Sequence, residues 1–266
     1  MLPIALQLYS VRDELEKDFR GTLEKVKEMG YDGVELSGLN GLDPKMVKDT
    51  LNELGLIVMS SHVPVEELSQ PDAMDRYKAA GCEYVVIPGI RMGKNCELME
   101  RNIGIIRDLA EKASKKGLKV LYHNHDFEFY KVDGRTILDT IYEEIPATIL
   151  ETQIDTCWAK FAGTDPAEYV LKYSGRAPLV HLKDYWVKEG YNSTPYDIIG
   201  EKKQDEKEIG FEFRPIGHGV QDMPSILKAS QEAGTKLVIV EQDESVGRPT
   251  LEAAKMSIDY LRSFDW

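Results

Sequence analysis

Short runs of apolar, β-branched residues alternate with longer amphipathic stretches along the whole chain. The runs are Ile4–Leu8, Gly33–Leu36, Ile57–Ser61, Tyr84–Ile87, Lys119–Tyr122, Thr148–Ile154, Leu179–Leu182 and Leu237–Val240. They are hydrophobic nearly throughout rather than alternating, the pattern of strands covered on both faces by helices. Between them, Phe19, Leu23, Val26 and Met29 repeat at helical spacing and stop before Gly30, which supplies a C-terminal cap. Asp43-Pro44, Asp165-Pro166 and Met223-Pro224 each open a helix with Pro in the first turn, where its missing N–H costs nothing. A long helix over Leu98–Lys116 sets Leu98, Ile105, Ile106, Leu109 and Ala113 on one side, and the last helix covers Pro249–Leu261.

The joints repeat as well. Met29-Gly30-Tyr31, Leu54-Gly55-Leu56, Ala80-Gly81-Cys82, Lys116-Gly117-Leu118 and Ala233-Gly234-Thr235 each carry a glycine between a helix and a strand. Eight strand–helix units in this chain average about 33 residues, enough for a right-handed crossover each. The pattern predicts one α/β domain over residues 1–266, a (β/α)8 TIM barrel. An open doubly wound sheet is the alternative, and no GxGxxG follows a strand to support it. One stretch breaks the rhythm. Residues 185–217 form a long loop after the seventh strand and include the charge run Glu201–Glu208. This loop is either a solvated excursion or a lid over the mouth, closing on its own barrel or reaching a neighbouring subunit of a homo-oligomer.

Composition narrows the functional classes. With 42% hydrophobic and 30% charged residues the chain reads as a folded globular protein. It has no apolar run near the ~18 residues of a membrane span and no basic leader before its first strand, so a cytoplasmic enzyme without membrane partners is expected. Cys82, Cys96 and Cys157 make no CxxC pair, which argues against a disulfide framework or a cysteine zinc site. A net charge of −13 disfavours nucleic acid, whose phosphates need clustered Lys and Arg.

The candidate chemistry lies at the C-terminal ends of the strands, which converge on one mouth in a parallel barrel. Those ends read Gln7 and Tyr9, Glu35, His62, Pro88-Gly89, His123-Asn124-His125, Asp155, His181-Leu182-Lys183-Asp184 and Glu241-Gln242-Asp243. Four of the five histidines sit there, and His218 follows the seventh strand. Asp155, His181 and Glu241, with a residue of the fifth strand, could form a nitrogen and oxygen shell for one divalent cation, Mn²⁺, Zn²⁺, Fe²⁺ or Co²⁺. A salt-bridged mouth without metal is the alternative. In extended geometry His123 and His125 share one face and Asn124 the other, so one imidazole can bind metal while the other moves a proton. Glu128 lies just beyond. Glu35, His62, Trp158, Lys183, Arg214 and His218 are the candidate substrate contacts. No GxSxG elbow or P-loop is present.

These pieces taken together resemble the xylose isomerase-like TIM barrel superfamily. The resemblance is to its sugar phosphate isomerase/epimerase group, which includes inosose dehydratases and ketose 3-epimerases, and to AP endonuclease family 2. It is carried by Leu6-Gln7-Leu8-Tyr9-Ser10-Val11-Arg12, Gly30-Tyr31-Asp32-Gly33-Val34-Glu35-Leu36 and Tyr122 through Phe129. Asp155 with Trp158, Ala162 through Pro166, His181-Leu182-Lys183-Asp184, Gly217 through Asp222 and Val240 through Asp243 complete it. It spans nearly the whole chain and is specific for the superfamily, not for a substrate. In that family Glu, Asp, His and Glu from the last four strands hold one divalent metal. Here the resemblance places Asp155, His181 and Glu241 at the last three positions, and His123 at the first, where the family has Glu, with Glu128 as a nearby alternative.

What the resemblance implies is metal-dependent isomerisation or epimerisation of a small carbohydrate or keto-sugar. His125 or Glu128 would take a proton next to a carbonyl, with Glu241 as both ligand and catalytic group. The alternatives are a dehydratase or lyase on a keto-sugar or keto-inositol, and a carbohydrate-binding barrel without catalysis. Some ketose epimerases carry His three residues after the Asp, where this chain has Trp158. No Gly-rich anion loop or Arg cluster marks a phosphate.

Overall fold

The computed structural model describes residues 1–92, 96–190 and 210–266. Eight parallel strands close into a barrel: β1 Ile4–Gln7, β2 Gly33–Ser37, β3 Ile57–His62, β4 Tyr84–Ile87, β5 Lys119–His123, β6 Leu150–Asp155, β7 Leu179–Leu182 and β8 Leu237–Val240. Each lies within two residues of its expected end. The open-sheet alternative is excluded, because β1 pairs with β8 through Ile4↔Val238, Ala5↔Ile239 and Leu6↔Val240. A helix follows each strand: α1 Phe19–Glu28, α2 Pro44–Leu54, α3 Ala73–Ala79, α4 Cys96–Lys115, α5 Ile137–Glu144, α6 Pro166–Lys172, α7 Met223–Glu232 and α8 Thr250–Arg262.

The local reasons are those of the sequence. Asp43 caps α2 by accepting from Met46 N, Asp165 caps α6 from Ala167 N and Glu168 N, and Asp222 caps α7 from Ser225 N. Each leaves Pro in the first turn, where a side-chain oxygen and a preset φ together start the helix. The five joint glycines all have positive φ, from 63° at Gly55 to 103° at Gly30, a conformation that costs a side-chain-bearing residue about 1 kcal/mol or more. The phase of α4 differs from expectation. Met99, Ile103, Ile106, Ala110 and Ala113 are buried, whereas Leu98 is exposed. The i, i+4, i+7 series starting at Met99 outweighs the one starting at Leu98.

Alternation along the strands separates two apolar layers. Ala5, Tyr84, Val86, Leu121, Leu179, Leu237 and Ile239 form one cluster that fills the lower barrel. Their neighbours Ile4, Leu6, Val85, Val120, Val180, Leu182, Val238 and Val240 pack outward under the helices. Continuing the inward series upward leads from Ala5 to Gln7, Leu121 to His123, Leu179 to His181 and Ile239 to Glu241. The barrel therefore changes from apolar to polar within one side-chain layer, and the functional residues stand on that floor.

The stretch after β7 begins and ends as a hairpin. Asp184–Val187 pairs antiparallel with Phe211–Arg214, in the register Asp184↔Arg214 to Val187↔Phe211. Tyr185, Phe211 and Phe213 pack on Cys157 and Trp158. The charge run Glu201–Glu208 lies outside the described residues.

Candidate metal centre and active site

His123, Asp155, His181 and Glu241 converge, with one ligand atom from each lying within 4.8 Å of the others. All four are buried. Ligands bound to one ion at about 2.0–2.2 Å stand up to ~4.4 Å apart, so the set fits a single cation after contraction by a few tenths of an ångström.

Hydrogen bonds settle which atoms are available. Gln153 Nε2 donates to Glu35 Oε1 at 2.7 Å, so its Oε1 accepts from His123 Nδ1 at 3.0 Å and from His62 Nε2 at 2.8 Å. This network assigns the His123 proton to Nδ1 and leaves the Nε2 lone pair toward Asp155 Oδ2, 3.6 Å away. Burial and the neighbouring His181, His62 and His125 hold His123 well below the usual imidazole range, so it is neutral, as a ligand must be. Asp155 Oδ1 caps the following turn by accepting from Cys157 N and Trp158 N. Its Oδ2 is buried and takes no hydrogen bond, although Lys183 Nζ lies 3.1 Å away. A buried carboxylate oxygen left in that state suits a cation.

His181 is clamped between carboxylates, with Nε2 2.7 Å from Glu35 Oε2 and Nδ1 2.9 Å from Glu241 Oε2. Burial opposes its charge, but Glu35 and Glu241 outweigh it and push His181 up to about 10. As a metal ligand His181 would offer a deprotonated Nδ1, with Nε2–H donating to Glu35 and orienting the ring, a carboxylate–histidine pairing common at metal sites. Glu35 therefore lies below the floor and not on the wall where a substrate contact was expected. It is fully buried and accepts from Gln7 Nε2, Ser60 Oγ and Gln153 Nε2 as well. Burial works against its ionisation, but His62 and His181 hold it well below the ordinary carboxylate range.

Lys183 completes the floor. It is 1% exposed, and its Nζ lies 2.9 Å from Glu241 Oε2, 2.9 Å from Asp243 Oδ2 and 3.1 Å from Asp155 Oδ2. Burial opposes the ammonium, yet these carboxylates hold its pKa well above normal. Glu241 is likewise held well below its ordinary value by Lys183 and His181 in spite of burial. For Asp243 burial wins and pushes the carboxyl up to about 6.

The mouth opens into a cavity of about 580 Å³. Its inner end is lined by His62, His123, His125, Lys183, Glu241 and Asp243. Asn124 turns aside, donating to Asp155 O and accepting from Asp155 N, so His123 and His125 share the cavity side. Burial and nearby Lys183 hold His125 well below the usual imidazole range. His125 approaches the chain closely at Gly89, where a Cβ would lie 2.7 Å from its Nδ1.

Glu128 sits behind His125. It is fully buried, accepting from the His125 backbone N at 2.8 Å and from Tyr122 OH at 2.7 Å, while Tyr122 OH accepts from Ile90 N. It holds the turn that carries His125 and does not line the cavity. Burial pushes its carboxyl up to about 8. The folded state therefore binds a proton that the unfolded chain releases above about 4.5, so this group's stabilising contribution is complete below that pH and is lost as pH rises through 8. Glu128→Gln is expected to flatten the fall in Tm between pH 5 and pH 9, measured by thermal unfolding. An unchanged slope would show that Glu128 stays ionised.

Three expected substrate contacts lie elsewhere. Trp158 is fully buried, stacked on Phe211 with centroids 6.3 Å apart. Arg214 pairs with Glu212 in the hairpin. His218 is exposed in the turn that Asp184 organises by accepting from Gly217 N, Gly219 N and Gln221 N. Other site residues carried no assigned role in the sequence reading. Gln153 and Asp243 were legible in principle, since each is a polar residue two positions from an inward-facing one. Glu67 and Arg76, which line the outer cavity, gave no signal, because Glu67 stands on the short helix Val65–Leu68 and Arg76 on α3, where charged residues read as an ordinary solvated face.

The chain matches the family described as xylose isomerase-like TIM barrel over residues 23–264, and it belongs to that family. An inosose dehydratase of Geobacillus kaustophilus is 24% identical over 275 residues, covering 90% of this chain and 85% of that protein. A sugar phosphate isomerase/epimerase from Parabacteroides distasonis superposes with a TM-score of 0.79 at 23% identity, covering 99% of both chains. An L-ribulose 3-epimerase gives 0.68 at 14% identity, covering 98% of this chain and 94% of that one. Among the described residues no helix is long and apolar enough to cross a membrane.

Proposed function

We propose that this protein is a metal-dependent lyase that eliminates water or an alcohol from a keto-sugar or keto-inositol. A divalent ion held by His123, Asp155, His181 and Glu241 would polarise the substrate carbonyl and acidify the adjacent C–H. His125, neutral and on the cavity wall, takes the proton from the carbon beside the carbonyl. As the C=C bond forms, the C–O bond at the next carbon breaks. The departing oxygen receives the proton from the His125 imidazolium and leaves as water or an alcohol, giving an α,β-unsaturated ketone. Lys183 holds a substrate oxygen through its ammonium.

One observation favours elimination over epimerisation. An epimerase must return the proton from the face opposite the one that lost it. Glu241, three strands round the barrel from His125, is held ionised by Lys183 and His181, and Asp243 is tied to Lys183 Nζ. Neither carboxylate is thus set to return a proton from the side opposite His125. The dehydratase name of the Geobacillus relative points the same way.

The test is to incubate Mn²⁺-loaded protein in D₂O with an inosose and a panel of keto-sugars, following enone absorbance and product mass. Loss of water or alcohol with a rise in enone absorbance, abolished in His125→Asn, is expected. Deuterium incorporation with a stereoisomeric product and no elimination would assign an epimerase instead. Neither change would leave a binding protein.

A further inference from the structure

The cavity is longer than the metal-centred mouth requires. At about 30 Å³ per water, its roughly 580 Å³ holds on the order of 20 waters, well above the twelve heavy atoms of one hexose or inositol. The excess lies to one side, between the loop after β2 and the helix α3, where Leu39, Asn40, Pro64, Glu67 and Arg76 line it.

That outer arm mixes polar and apolar side chains. Arg76 Nη2 lies 3.4 Å from Glu67 Oε1 and 3.3 Å from Gln70 Oε1, and its Nε lies 3.4 Å from Asp72 Oδ2 without a hydrogen bond. Glu67 Oε1 also accepts from Tyr77 OH at 2.7 Å. The guanidinium is therefore spread over long contacts, and a ligand can still claim its N–H donors. Glu67 supplies acceptors alongside. Asn40 stands in the left-handed region at φ 50° and donates to the Ser37 carbonyl, so its Oδ1 adds another acceptor. Two carboxylates around one guanidinium leave no net positive charge, which disfavours a phosphate or carboxylate. Paired donors and acceptors beside Leu39 and Pro64 suit the hydroxyls and C–H faces of an uncharged polyol.

We infer that this arm is a subsite for a second, uncharged polyhydroxylated unit, so that the protein takes a disaccharide or glycoside whose reacting ring sits over the metal centre. On the proposed lyase reading, that second unit would be the departing alcohol or a substituent of the ring that reacts. The inference rests on that reading only for the reacting ring, and its test reads binding, so the two can fail separately.

Isothermal titration calorimetry on the full chain, with and without Mn²⁺, would compare glucose and myo-inositol with cellobiose, maltose, trehalose and sucrose. At least one disaccharide is expected to bind about tenfold or more tightly than the single rings, as one charge-assisted hydrogen-bonded contact supplies. Arg76→Gln and, separately, Asn40→Gly (which tolerates the positive φ) should each reduce that advantage while leaving the single-ring affinity unchanged. If no disaccharide exceeds its component rings, or the advantage survives both substitutions, the outer arm is not a subsite. Loss of the advantage together with normal enone formation from an inosose would leave the lyase reading intact. The reverse pattern would leave the subsite without it.

Discussion

Glu241→Gln is expected to leave the purified protein without stoichiometric divalent metal and to lower any turnover by ~10³-fold or more, the scale on which a directly placed electrostatic group acts. The substitution removes one of two carboxylates from the four-residue set and replaces one oxygen with an N–H that cannot ligate. Its Oε2 also accepts from His181 Nδ1 and pairs with Lys183 Nζ at 2.9 Å, so both would turn toward new partners. Glu35→Gln is the informative comparison. Glu35 holds the far side of His181 at 2.7 Å and does not itself line the cavity, so its loss should weaken metal binding by only ~10–100-fold, the range for outer partners. Elemental mass spectrometry and metal titration of both variants would decide. Full metal occupancy in Glu241→Gln would remove Glu241 from the centre, and equal effects of the two substitutions would mean that Glu35 is itself a ligand.

The architecture could be read from the sequence because it depends on repetition. Buried strands that are apolar throughout, Asp-Pro helix starts and a recurrent helix–Gly–strand joint are local features, and each is satisfied locally. The buried His/Asp/Glu cluster was also legible, since inward residues occur at period two and Asp155, His181 and Glu241 end successive strands. What the sequence could not distinguish was the floor from the wall. Glu35 lies within the second strand and Glu128 shortly after the fifth, both as close to the mouth in sequence as Glu241, but Gln153, Ser60 and Tyr122 bind them as anchors beneath and behind the histidines. The placement of Trp158 was illegible for a related reason. It follows Asp155 by one helical turn, and whether that turn opens to the cavity or to the hairpin depends on where Phe211 and Phe213 pack, more than fifty residues later. The outer cavity arm depends on the loop after β2 meeting the segment between β3 and β4, which no local pattern encodes.

Lys183→Met should destabilise the metal-free protein by about 3–5 kcal/mol, the effect of removing one partner from a buried ion pair, or on the order of 10 °C in Tm for a chain of this size. The residue has the right length to leave no cavity, so the loss reports charge. Lys183 is the permanent cation beside Asp155, Glu241 and Asp243, and it lowers the pKa of all three. Without it these carboxyls take up protons in the folded state more readily than in the unfolded chain. Stability then falls as pH rises, and the gap from the native protein should be narrow near pH 5 and wide near pH 8. A divalent cation neutralises the same oxygens, so excess Mn²⁺ should restore more Tm to Lys183→Met than it adds to the native chain. Thermal unfolding in EDTA and in Mn²⁺ at both pH values separates the possibilities. A variant as stable as the native protein in EDTA at pH 8 would mean that the carboxylates share protons already and Lys183 is not their counter-charge. A large loss that Mn²⁺ does not repair would place the cation site away from these three residues. The expected pattern, loss in EDTA and recovery with metal, would identify the ammonium and the metal ion as two cations serving one carboxylate cluster.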